Sequence, residues 1–161
     1  MIKWYRVVSA DLSKLPDCID HYEQQLEEAR VECGMKGNIE LNSSKIPGIV
    51  EHRFNQLQEI ESILEFLNIQ LRKIRSLKYK QYLENYQRAL TSRDVEKYID
   101  GEDDVISMAQ LVNEFALLRN KFLGLMKALD SKQFQINNIV KLRVAGLDDA
   151  ELFAKGYQYD F

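Results

Sequence analysis

LQEIESILEFLNIQLRKIR, residues 57–75, places Leu57, Ile60, Leu64, Leu67, Leu71 and Ile74 at alternating spacings of three and four. On a helix with 3.6 residues per turn those side chains form one narrow stripe, the seam by which two helices pack as a coiled coil. Neither Gly nor Pro occurs between residues 49 and 100, so a helix over 46–90 is predicted, reaching roughly 65 Å at about 1.5 Å per residue. Ser43 or Ser44 can cap it, and Pro47 falls in its first turn, where a missing N–H has no partner to lose. Residues 38–44, NIELNSS, then read as a linker.

Downstream the seam returns as Met108, Leu111, Phe115, Leu118, Phe122, Leu125 and Leu129. Asp100 and Gly101 mark a turn before it, with Asp103 and Asp104 suited to the positive end of the next helix dipole. Two long seams joined by one turn predict an antiparallel helical hairpin. Asp130, Ser131 and Lys132 suggest a break, followed by a short C-terminal helix carrying Phe134, Ile136, Ile139, Val140 and Leu142.

Upstream, Cys18 or Ile19, Tyr22, Leu26, Ala29 and Cys33 repeat at three and four. They predict an amphipathic helix over residues 15–33, with Ser13 as cap and Gly34 and Gly37 as stops. Residues 2–9, IKWYRVVS, are aromatic and β-branched and read as a short strand or an extended arm. The expected fold class is all-α: a long coiled-coil-like antiparallel hairpin with an N-terminal and a short C-terminal helix. Residues 1–37 form an arm and helix, 38–146 the main helical domain, and 147–161 an acidic tail with Phe153, Tyr157, Tyr159 and Phe161.

Composition agrees with this. Only 7 Gly and 2 Pro in 161 residues, against 29% charged residues, disfavour sandwiches and barrels with their many turns. Cys18 and Cys33 have neither a local disulfide spacing nor a metal-site spacing, which fits a reducing cytosol. No apolar run approaches the length of a membrane helix, so a soluble, intracellular protein without a membrane partner is expected. Catalysis lacks a motif: His21 and His52 are isolated, no Gly-rich phosphate loop is present, and Glu102, Asp103 and Asp104 suit a helix cap better than a metal site. No enzyme, cofactor or metal is therefore expected.

With a net charge of -3, any role with nucleic acid must rest on a local patch. One exists. No acidic residue occurs between Glu65 and Glu84, while Arg72, Lys73, Arg75, Lys78 and Lys80 crowd into less than three helical turns. Like charges at that density repel along a helix, which calls for an anionic partner. Arg72, Arg75, Tyr79, Tyr82 and Tyr86 again follow three and four. Cations interleaved with aromatics suit single-stranded DNA, whose phosphates need charge and whose unstacked bases need flat surfaces. The alternative reading is a solvated basic face, with Tyr79, Leu83, Tyr86 and Leu90 continuing the core.

The segments SKIPGIVEHRF (44–54), RKIRSLKYKQYLE (72–84), GEDDVISMAQLV (101–112) and ALDSKQFQINNIVKLR (128–143) are similar, in order and spacing, to the UvsY family of phage recombination mediators. The resemblance covers about residues 38–143. It rests on the Lys-Ile-Pro helix start, the basic segment ending in tyrosines, and the late pattern Lys132, Phe134, Ile136, Asn137, Asn138. The chain departs from the family in LENYQRALTSRDVEKY, which has no Gly where members often have a Gly-containing acidic loop.

The resemblance implies single-stranded DNA binding by Arg72, Lys73, Arg75, Lys78 and Lys80, with Tyr79 and Tyr82 beside them. It implies oligomerisation, in a ring, through Leu118, Phe122, Leu125, Leu129, Phe134, Ile136 and Ile139. The implied partners are single-stranded DNA, a phage recombinase and a single-strand binding protein, and the implied location is the cytoplasm of an infected bacterial host. A helical phage structural or assembly protein without DNA binding is the alternative.

Overall fold

The computed structural model describes residues 3–85 and 91–146, and these contain helices and no strand. In chain order they are α1 (Trp4–Ala10), a single 3-10 turn (Leu12–Lys14), α2 (Leu15–Cys33), α3 (Ile39–Asn85), α4 (Ser92–Asp100) and α5 (Asp103–Val144). The expected all-α class is observed.

The extended arm expected near the N-terminus is instead α1. The carbonyl of Lys3 accepts from the N–H groups of Arg6 and Val7, and the N–H of Tyr5 donates to Glu59 Oε1 at 3.0 Å. A carboxylate at a helix start satisfies an N–H that has no partner within the helix and complements the dipole. That contact, with burial of Val8, outweighs the β preference of the local sequence. Ser13 is not a cap either: its own N–H donates to Asp11 Oδ1 at 2.9 Å, and Asp11 opens the 3-10 turn that leads into α2.

Residues 38–44 are not a linker. Asn38 starts α3 by accepting the Glu40 N–H on its side chain at 2.7 Å and the Asn42 N–H on its carbonyl at 3.0 Å. Pro47 therefore lies inside the helix. It deprives the Ser43 carbonyl of a donor, but Ser43, Pro47 and Gly48 are exposed, so water can replace the lost bond. Gly37, at φ +83°, takes the left-handed conformation that ends the preceding segment.

The expected break at 130–132 is also absent, since α5 runs unbroken to Val144. Lys132 occupies the next buried position of the seam after Leu129, and its ammonium donates to the Glu32 carbonyl at 2.7 Å. The polar residue that suggested a break is a buried, satisfied one. The Asp100–Gly101 turn is as expected, with Gly101 closing α4.

The chain divides into two units, the first made of residues up to Asp20 with Gln58–Asn120, the second of His21–Leu57 with the residues from Lys121 onward. In the first, Val8, Leu15, Cys18, Ile60, Ile63, Leu67, Phe115 and Leu118 are buried, with Val95, Ile99 and Val105 forming a separate cluster. In the second, Tyr22 meets Phe122 edge-to-face at 5.9 Å, and Leu26, Ala29, Ile46 and Leu129 are buried. Its polar centre is Arg53, 3% exposed. Nε and Nη2 of Arg53 donate to the two oxygens of Glu32, each at 2.8 Å. Nη1 donates to Gln25 at 3.0 Å and Gln56 at 2.9 Å.

Candidate nucleic-acid interface

Residues 69–85 of α3 belong to the first unit, and their neighbours in that unit sort the basic segment into two sets. Leu71, Ile74, Tyr79 and Tyr82 pack against the cluster of Val95, Ile99 and Val105. This apolar side exists because a new helix begins at Ser92. Thr91 caps it, accepting the Asp94 N–H at 3.3 Å and donating its hydroxyl to the Asp94 carboxylate at 2.6 Å. The pattern Thr-x-x-Asp at 91–94 was the available signal for that start.

Two cations lie at the edge of this packed side and meet carboxylates of the turn between α4 and α5. Arg75 Nη1 pairs with Asp100 Oδ1. Lys78 Nζ lies 2.8 Å from Glu102 Oε2 and 3.2 Å from Asp104 Oδ2, and its side chain is only 23% exposed. Tyr82 donates its hydroxyl to Glu102 Oε1 at 2.6 Å and its ring stacks on Tyr98 at 6.0 Å. Hydrogen bonds from Lys78 and then Tyr82 hold the Glu102 carboxyl below the usual carboxylate range. Hydrogen bonds to Glu102 and Asp104 push the Lys78 ammonium above the usual lysine value.

The opposite side of the same turns is open. Ile69, Arg72, Lys73, Ser76, Leu77, Lys80 and Leu83 are all exposed. Arg72 reaches back along α3 to Glu65 at 2.8 Å, with both side chains more than 60% exposed. Lys73 and Lys80 have no carboxylate partner among the described residues.

The seven residues read as a DNA contact are therefore not on one surface. Arg72, Lys73 and Lys80 face solvent; Arg75 and Lys78 are clamped to the turn; Tyr79 and Tyr82 are half-buried against α4 and α5. Tyr86 and Leu90 lie outside the described residues, as does the tail 147–161. The sequence reading missed the partner residues Asp100, Glu102 and Asp104. Their signal was an acid-rich block, residues 100–104, that follows the cation-rich, acid-free one after the intervening α4.

The residues read as oligomerisation contacts divide as well. Leu118, Phe122, Leu125, Leu129, Ile136 and Ile139 are buried within the single chain, whereas Phe134 is 63% exposed.

No group of three or more His, Cys, Asp or Glu residues suited to a metal occurs among the described residues, and none of their helices is long and apolar enough to cross a membrane. Cys18 and Cys33 are free thiols. Burial, with the charge of Glu59, pushes Cys18 up to about 12, which removes it as a thiolate nucleophile near neutral pH. Comparison with protein-family models, curated proteins and solved structures found no match.

Proposed function

We propose that this chain binds single-stranded DNA along the outward side of α3 at residues 69–83, and that it serves without chemistry as a recombination mediator. In this role it holds the strand while a phage recombinase replaces a single-strand binding protein, in the cytoplasm of an infected bacterial host. The observation that carries the reading is an acid-free helical face with Arg72, Lys73 and Lys80 exposed. The last two lack a carboxylate partner among the described residues. Arg72 is readily available too, because an exposed ion pair contributes little and a phosphate can replace Glu65. Ile69, Leu77 and Leu83, exposed beside the cations, offer apolar contact to bases that a single strand leaves unstacked.

Three cations per chain make a weak site. The same reading therefore takes α3 and α5 as arms of a long antiparallel hairpin that self-associates, in a ring, so that many weak sites add through effective concentration.

A second reading, a helical phage structural or assembly protein without DNA binding, is favoured by one specific observation. Arg75 and Lys78 are paired with Asp100, Glu102 and Asp104, which leaves the charge of that side nearly balanced.

Fluorescence anisotropy with a labelled oligo-dT separates the two. Three neutralised phosphates give a slope of log affinity against log salt of roughly -2 per chain, at about -0.7 each, and Lys73→Ala with Lys80→Ala lowers it to roughly -0.7. Absence of binding at low salt, with self-association intact, selects the second reading.

A further inference from the structure

We infer that the turn Asp100–Glu102–Asp104 is an internal competitor for the DNA site, holding Arg75 and Lys78 in reserve until a polyanion displaces its carboxylates. The inference rests on the single-stranded DNA reading and adds to it a means of regulation through Arg75 and Lys78.

The clamp has the composition such a competitor needs. Each of the two cations in reserve is matched by carboxylate oxygens from outside α3: Asp100 on Arg75, and Glu102 with Asp104 on Lys78. Glu102 is held a second time, by the Tyr82 hydroxyl. None of these groups is sealed from water. Arg75 and Asp100 side chains are 40% and 58% exposed, and a hollow of about 230 Å³ lined by Gln81, Tyr82, Asn85 and Glu102 opens at Glu102. An ion pair in such a place is replaceable, because its Coulomb gain is small against water and salt.

The reserve also lies next to the open face. Arg72, Arg75 and Lys78 are spaced by three along α3, so Arg72 on the open face adjoins Arg75, and Arg75 adjoins Lys78. A strand neutralised by the exposed cations is thereby brought within reach of the clamped ones at high effective concentration. A short or sparsely charged anion meets three cations and leaves the turn in place, whereas a long strand gains five by displacing it. The turn thus favours long polyanions over isolated phosphates.

The test is the salt dependence of oligo-dT binding by four full-length proteins. These are the parent, Asp100→Asn/Glu102→Gln/Asp104→Asn, Arg75→Met/Lys78→Met, and the combination of all five changes. At modest strand concentration and length the parent slope is roughly -2, and neutralising the turn steepens it to roughly -3.5, as two more phosphates are contacted. In the background lacking Arg75 and Lys78 the same neutralisation leaves the slope at roughly -2.

Equal steepening in both backgrounds means general electrostatics and overturns the inference. So does an unchanged slope, or a parent that already reads about -3.5, although in each case the DNA reading survives. No binding by any of the four removes both. Should the triple change reduce helix content by circular dichroism, Glu102→Gln alone keeps an acceptor for Tyr82. It must then steepen the slope by a smaller amount, and only when Lys78 is present.

Discussion

At Lys78 one ammonium meets two carboxylates, and the consequences for stability have a defined sign. The Glu102 carboxyl is held below its ordinary range, chiefly by Lys78 and then by Tyr82. Its contribution is therefore complete above the ordinary glutamate value and is lost as pH falls through the depressed one. Lys78 is raised, so its contribution is complete below the ordinary lysine value and is lost only as pH rises through the higher one. Between those limits the clamp is constant. The Tm difference between the parent and Glu102→Gln should hold level around neutral pH and shrink as pH drops below the glutamate range; a difference that persists there contradicts the assignment. Arg53 is the opposite kind of ion pair. Its guanidinium is buried against Glu32, Gln25 and Gln56, and Arg53→Met leaves the Glu32 carboxylate without its ion-pair partner, while Gln25 and Gln56 keep the hydrogen bond between them. Urea unfolding should show a loss of about 3 kcal/mol, the lower end for a broken buried pair because Glu32 is partly hydrated.

At the scale of elements, helix ends were harder to read than helix faces. The seams at 57–74 and 108–129 were visible as spacing, because a helix repeats its own geometry and needs nothing from elsewhere in the chain. Ends depend on single hydrogen bonds. Pro47 drew the expected start of α3 forward, yet Asn38 supplies a better cap, five or six residues before Ser43 or Ser44. Asn38→Ala should cost about 1 kcal/mol. Pro47→Ala, which restores a donor to the Ser43 carbonyl, should stabilise by up to about 3 kcal/mol. Denaturation midpoints check both, and a destabilised Pro47→Ala protein would mean that the proline starts the helix after all. At the far end of the chain, Lys132 looked like a break because the sequence does not show the Glu32 carbonyl waiting for its ammonium.

For the whole molecule, self-association is the property on which a multivalent site depends, and the distribution of apolar residues says where to look. Phe122 is buried against Tyr22, so Phe122→Asp should unfold the second unit, seen as lost helix content. Phe134 is exposed, so Phe134→Asp should leave helix content unchanged and lower the sedimentation coefficient if copies join through that residue. A wild-type coefficient in the variant rules out a contact between copies through Phe134. What the amino-acid order determined by itself was the helical class, the two seams, the turn at Asp100–Gly101 and the presence of a basic run, because each is a pattern among near neighbours. What only the tertiary structure decided was that residues 4–10 coil rather than extend, that α5 does not break, and that the basic run has a free side and a clamped side. In every such case the deciding group lies far away in the chain: Glu59 for Tyr5, Glu32 for Lys132, and the 100–104 turn for Arg75 and Lys78. Local order cannot encode a partner that only folding brings near.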